Sequence, residues 1–322
     1  MVFFVLSGYF VGGSVLRSGA NFSWQHYLVS RLTRLWVVLI PCLLLTWGVC
    51  MIVEHYALEA TLGVSHEVWH SGPKVGEYSV SFKTFLANIL FLQTIASPVF
   101  GLNTPLWSLA NEFWYYMVFP LLAIGVGLLG KKTIFLHGLT LIFALVIAWW
   151  LPPAILNGFL IWLMGVAVYS LQSKIRPKNL IFARIFLGLS VLLFILALCN
   201  AKLLFVQISN NESDFIVGLS FACLCLLLTD QQASQYHHPI FNKFSLYLSE
   251  ISYSLYLSHF PVVILISTTI YQSQKVMPEG WTLAQFTGWG LLLLTVASLI
   301  WFLFESRTAF IRSKILVLTN LI

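Results

Sequence analysis

The chain has 322 residues, of which 59% are hydrophobic and only 9% charged, and its mean hydropathy is +0.89; an ordinary soluble domain carries about 25% charged residues and is excluded. The formal charge of +6 sits in short basic clusters between apolar runs, where topology signals belong, so the implied partner is a lipid bilayer and not nucleic acid. The five cysteines all lie in apolar runs without a Cys-x-x-Cys pair, which indicates neither a disulfide framework nor a zinc ribbon.

A bilayer core about 30 Å thick needs about 20 predominantly apolar residues per helix. In chain order the candidate runs are 2–16, 35–53, 106–129, 134–150, 154–171, 185–204, 215–229, 247–270 and 285–304. A further run, 84–97, is short and is followed by Pro98, Gly101 and Pro105. This pattern predicts an all-α fold, a polytopic transmembrane helix bundle of about 9–10 spans, forming a single membrane domain over residues 1–322.

Basic residues set the expected orientation. If 84–97 does not cross, Arg17, Arg31, Arg34, Lys131, Lys132, Lys174, Arg176, Lys178, Arg184, Lys243, Arg307, Arg312 and Lys314 share one side, leaving Lys74, Lys83, Lys202 and Lys275 on the other. Short cytoplasmic loops carry the excess of Lys and Arg, which predicts a multi-pass membrane protein with a cytoplasmic C-terminus. The acidic 54–83 loop then faces outward. The first run starts abruptly, without a polar flank, so the expectation is that a span precedes it.

Two polar stripes interrupt apolar helices. Thr104 as N-cap and Pro105 at the first helical position open "NTPLWSLANEFWYYMVFPLLA", and Ser108, Asn111, Glu112 and Tyr115 then share one face. An ionisable group at membrane depth costs about 2.5–3.5 kcal/mol and by default marks a functional site, although a carboxyl that bonds a neighbouring helix fits the residues too. In "EISYSLYLSHFPVV", Ser249, Ser252, Tyr256 and His259 form the second stripe, and Pro261 kinks the helix near His259. A histidine of near-neutral pKa relays protons or holds a hydroxyl for attack; a histidine bonded to a backbone carbonyl or tyrosine is the alternative.

Three further motifs need weighing. "VSRLTRLWVV" places Arg31 and Arg34 on one face at the start of a span, where guanidinium forks match phosphate geometry but snorkelling arginines obey the same pattern. Gly8 and Gly12 form a small-x-x-x-small pair that lets helices approach closely. "HEVWH", His66 to His70, matches the H-E-x-x-H zinc protease pattern, but glycines bracket it and no third ligand follows at a defined spacing; no metal site is expected.

Taken together, "FFVLSGYF", "RLTR", "LWSLANEFWYY", "SYSLYLSHFP" and, more loosely, "FLFES" at Glu305 and Ser306 resemble, in order and spacing, integral membrane acyltransferase family 3, which O-acylates surface polysaccharides and related glycans. The resemblance runs from about Phe3 to Arg312 and implies transfer of an acyl group, commonly acetyl, from cytoplasmic acyl-CoA to a hydroxyl of an extracytoplasmic glycan or lipid-linked saccharide. Acyl-CoA is a substrate here and no bound cofactor is implied. By matched position Arg31 and Arg34 would meet the donor, Glu112 and His259 would be catalytic, and Ser108, Asn111, Tyr115, Ser252 and Tyr256 would contact substrate. The family's first-helix histidine motif has no counterpart, since only Met1 and Val2 precede the "FFVLSG" block, which again gives a missing first helix as the expectation. A proton-coupled transporter, and behind it a membrane zinc metalloprotease resting on "HEVWH", are the alternative classes.

Overall fold

Away from water a chain must satisfy its backbone N–H and C=O groups internally, and a helix does so within one segment. A computed structural model describes residues 1–56, 78–130, 133–175, 180–203, 209–229, 239–271, 277 and 279–319. Among these, every regular element is helical. Helix α1 (Val2–Ser7) passes through a π segment (Gly8–Gly12) into α2 (Gly13–Ser18). Then follow α3 (Trp24–His55), α4 (Phe82–Ile89), α5 (Leu106–Gly125), α6 (Ile134–Trp150), α7 (Pro153–Leu171), α8 (Leu180–Leu203), α9 (Asn210–Leu228), α10 (Pro239–Thr269), α11 (Gly280–Leu303) and α12 (Thr308–Leu318).

Among the described residues seven helical stretches are long and apolar enough to cross a membrane, α6 being a shorter apolar helix of 17 residues. The protein is a multi-pass helical membrane protein. The 84–97 run does not form a span. It supplies only the eight-residue α4, after which Phe91 and Thr94 adopt positive φ. Side chains replace the missing helical ladder there: Asn88 donates to the Thr84 and Pro98 carbonyls and accepts from Phe100 N–H, and Gln93 donates to the Leu106 carbonyl. Irregular backbone is tolerated at a buried position because polar side chains take over its hydrogen bonds. The "HEVWH" motif lies outside the described residues. Helix α5 begins at Leu106 through a succession of tight turns from Asn103, Thr104 and Pro105 carbonyls, one residue later than the proline-first expectation.

The chain forms two compact units, each built from two segments: Met1–Phe22 with Asn111–His238, and Ser23–Ala110 with Pro239–Ile322. In the first, the α1–π–α2 stretch packs on α7, α7 on α9, and α9 on α8. Gly8 and Gly12 form the expected close contact. A Cβ at Gly8 would overlap the Trp162 carbonyl, one at Gly12 the Val166 side chain, and one at Gly165 the Val5 carbonyl. In the second unit α3 packs against α10 and α12, and α10 against α11.

Backbone against backbone leaves no room for relaxation. Gly165→Ala is therefore expected to lower the unfolding free energy by about 1–3 kcal/mol through overpacking, whereas Gly188→Ala, with nothing within 4 Å of the added carbon, does not. Thermal unfolding in detergent compares them, and equal midpoints would rule out the close α1–α7 contact.

Candidate active site

In the second unit the turn between α11 and α12 (Glu305–Arg307) carries Glu305, whose residue surface is 4% exposed. Its Oε2 accepts hydrogen bonds from Ser254 N at 3.2 Å and Ser254 Oγ at 2.6 Å. Its Oε1 faces Arg34 Nη1 at 3.2 Å, an ion pair without hydrogen-bond alignment. The Arg34 guanidinium lies over the Tyr253 ring, 5.5 Å from its centroid, and the Tyr253 hydroxyl donates to the Leu35 carbonyl at 3.2 Å. One carboxylate thus ties α3, α10 and the α11–α12 junction together.

Around this knot opens a cavity of about 300 Å³ lined by Ser30, Arg31, Arg34, Glu305, Thr308 and Arg312, among others. Arg31 lies over the Tyr27 ring, and its Nε is buried without a hydrogen-bond partner among the described residues. Arg312 reaches back to Ser30 Oγ at 3.4 Å. Three guanidinium groups against one carboxylate leave the cavity electropositive, and planar forks of this kind match phosphate oxygens. The sequence-predicted pair Arg31 and Arg34 is therefore brought together with a third arginine from the far end of the chain.

His259 stands on α10. Its Nδ1 lies 2.8 Å from the Tyr256 carbonyl and 3.1 Å from that of Leu255. A carbonyl only accepts, so Nδ1 carries the proton in the neutral ring and the lone pair is left on Nε2, the tautomer a general base needs. One turn earlier the Tyr256 hydroxyl shares a 2.5 Å hydrogen bond with Ser108 Oγ, and it also donates to the Pro105 carbonyl at 3.1 Å. Two residues predicted from separate stripes thus meet directly. Ser252 departs from the stripe: it is exposed, and its hydroxyl turns back on the Ser249 carbonyl.

In the first unit Asn111 and Glu112 are each 2% exposed. Tyr115 is buried and its hydroxyl donates to the Ile155 carbonyl at 2.8 Å, a contact that requires Gly158 beneath it, since a Cβ there would strike the hydroxyl. Beside them Trp162 Nε1 donates to Ser7 Oγ at 3.1 Å, and Ser7 Oγ shares a 3.1 Å bond with the Tyr116 hydroxyl. The serine of "FFVLSGYF" is thus the centre of a buried polar chain linking α1, α5 and α7.

A family model for an acyltransferase domain, that of acyltransferase family 3, matches residues 1–305. The chain belongs to acyltransferase family 3. No curated protein and no solved structure matches it. It is accordingly a transferase of acyl groups embedded in a membrane.

Within this family member the sequence motifs missed several residues. Glu305 matched only loosely, although a carboxylate closing a long apolar run carries the same signal as Glu112. Arg312 read only as a topology charge. Ser254 and Ser7 carried no signal, because a serine in an apolar helix commonly bonds its own backbone.

The magnitudes decide what Glu305 does. Its two charge-assisted bonds to Ser254 contribute about 1.5–3 kcal/mol each, whereas the pair with Arg34, whose side chain is 50% exposed, is screened and contributes under about 1 kcal/mol. Glu305→Ala is expected to destabilise the protein by at least about 2 kcal/mol, and Arg34→Ala by less than about 1 kcal/mol, in thermal or denaturant unfolding. Equal losses would make the ion pair, and not the Ser254 anchor, the source of stability.

Proposed function

We propose that this acyltransferase moves an acyl group, acetyl being the common choice that the family resemblance implies, from cytoplasmic acyl-CoA to a hydroxyl of an extracytoplasmic carbohydrate, either glycan or lipid-linked saccharide. The observation that carries the donor is the arginine cavity. Coenzyme A presents several phosphate groups, and Arg31, Arg34 and Arg312 offer guanidinium forks around one space at the basic, cytoplasm-facing end of α3 and α12. This reading puts the protein in a bacterial-type inner membrane, as the family resemblance implies, with a cytoplasmic C-terminus, which the charge bias supports.

His259 is the general base of this reading. Its Nε2 takes the proton of the acceptor hydroxyl while the oxygen attacks the thioester carbon. The C–O bond forms, the C–S bond breaks, and the proton passes to the departing coenzyme A sulfur, so that acylated saccharide and free coenzyme A leave. Glu112 is assigned a catalytic part by its matched motif and by its burial, which costs too much to keep without a role. Ser108 and Tyr256, Asn111 and Tyr115 are assigned to substrate contact, and Ser252, on its exposed face, to the substrate approach. A proton-coupled transporter would carry no acyl label, so transfer from radiolabelled acyl-CoA in membranes separates the two classes.

His259→Ala and Glu112→Ala are each expected to abolish label transfer while the protein still fractionates with membranes; product at the parental rate from either variant removes that residue from the site. Arg31→Ala and Arg312→Ala are each expected to raise KM for acyl-CoA about tenfold, the loss of one charge-assisted bond. They should leave use of an acyl-pantetheine lacking phosphates unchanged. A parental preference for acyl-CoA over acyl-pantetheine in both variants would take the cavity out of donor binding.

A further inference from the structure

Helix α10 contains Pro261. A helical carbonyl normally accepts from the N–H four residues on, so Pro261 leaves the Leu257 carbonyl without its usual donor. Leu257 is fully buried, which keeps water from replacing that donor, and an unsatisfied buried acceptor is costly.

The replacement comes from Asn103. Its Nδ2 lies 2.9 Å from the Leu257 carbonyl oxygen and 3.2 Å from Thr46 Oγ1. The Thr46 hydroxyl gives its own hydrogen to the Cys42 carbonyl at 2.8 Å, so towards Asn103 it accepts. Both neighbours being acceptors, the amide orientation is fixed with Nδ2 towards them. Asn103 is fully buried, and its Oδ1 has no hydrogen-bond partner among the described residues. The side chain is therefore held for its donor, at the expense of its acceptor.

The turn bounded by Leu257 and Pro261 is the one that presents His259. The carbonyls receiving the Nδ1 proton, those of Tyr256 and Leu255, lie in the turn just before it. We propose that Asn103 is a positioning residue for acyl transfer: its amide stands in for the N–H that Pro261 lacks, fixes the turn before Pro261, and so keeps Nδ1–H on the Tyr256 carbonyl and Nε2 free as base. The inference rests on the reading of His259 as the base. It also gives the "NTP" entry to α5 a task, since the same short connection that sets Ser108 against Tyr256 clamps the helix carrying His259.

A double-mutant cycle tests it with acyl-CoA and native membranes. Asn103→Leu removes the donor at similar volume, and Pro261→Ala returns an N–H to the Leu257 carbonyl. On the parental background Asn103→Leu is expected to lower kcat about tenfold or more, with KM for acyl-CoA within about twofold, as loss of positioning and not of donor binding requires. On the Pro261→Ala background the same substitution is expected to cost less than about threefold, and unfolding midpoints of the four proteins should show the same non-additivity. If Asn103→Leu does not accumulate, accumulation of the double variant alone is the same coupling. Equal losses on both backgrounds overturn the hydrogen-bond replacement. Coupling in unfolding with kcat untouched overturns the positioning role. A His259→Ala protein at parental kcat overturns the base assignment instead, and is told apart because the unfolding coupling between Asn103 and Pro261 persists.

Discussion

A buried carboxylate organises the second unit. Glu305 closes a long apolar helix, and an ionised group in such surroundings has no water to solvate it, so it must collect donors from the protein. It takes them from the backbone and hydroxyl of Ser254 on α10, with the Arg34 guanidinium of α3 alongside. Helix α12 starts immediately after this turn, and its Arg312 arrives next to Ser30 as a consequence. The carboxylate thus forms one wall of the basic cavity. Arg31 over Tyr27, Arg34 over Tyr253 and Arg312 on Ser30 complete the arrangement around that space.

The same need, a partner for buried backbone groups, shapes the irregular stretch between α4 and α5. An apolar run of suitable composition would continue as a helix, but the chain turns through positive φ at Phe91, Thr94 and Gly101. Asn88 and Gln93 supply the hydrogen bonds a helical ladder would have made, and Trp36 on α3 donates to the Ile89 carbonyl at 2.9 Å to close the end of α4. Asn103 extends this stapling to another element, answering a carbonyl on α10. Polar side chains here do the work of backbone. A proline-containing helix and a non-spanning loop thereby become supports for Ser108, Tyr256 and His259.

Packing in the first unit follows a different economy. Lipid provides no hydrophobic driving force between helices, so association relies on close van der Waals contact and a few hydrogen bonds. Gly8 and Gly165 bring the α1–π stretch and α7 into backbone contact, Gly12 makes room for the Val166 side chain, and Ser7, Trp162 and Tyr116 add a buried polar chain. Tyr115 fits over Gly158 for the same reason. The aromatic content that reads as hydrophobicity in the sequence is thus partly hydrogen-bonding equipment.

The amino-acid sequence alone determined the helical class, the placement of most helices, the glycine contact at Gly8 and Gly12, and the residues that carry the family motifs. These are local properties: the period and length of an apolar run, a small residue at helical spacing, or a charge where hydrocarbon belongs are visible without knowing any neighbour. Glu112 and Arg31 announce themselves in this way. The 84–97 run was legible in part: it is short for a span, Pro98 and Gly101 follow it, and the charge bias favours its not crossing, whereas the turns that Asn88 and Gln93 stabilise through the Pro98 and Leu106 carbonyls appear only in the structure. Not legible were the roles of Glu305, Arg312, Ser254 and Asn103, each of which acts on a partner remote in sequence. Only the tertiary structure decided those pairings, because which buried acceptor lacks a donor, and which side chain can reach it, is settled when helices come to lie side by side.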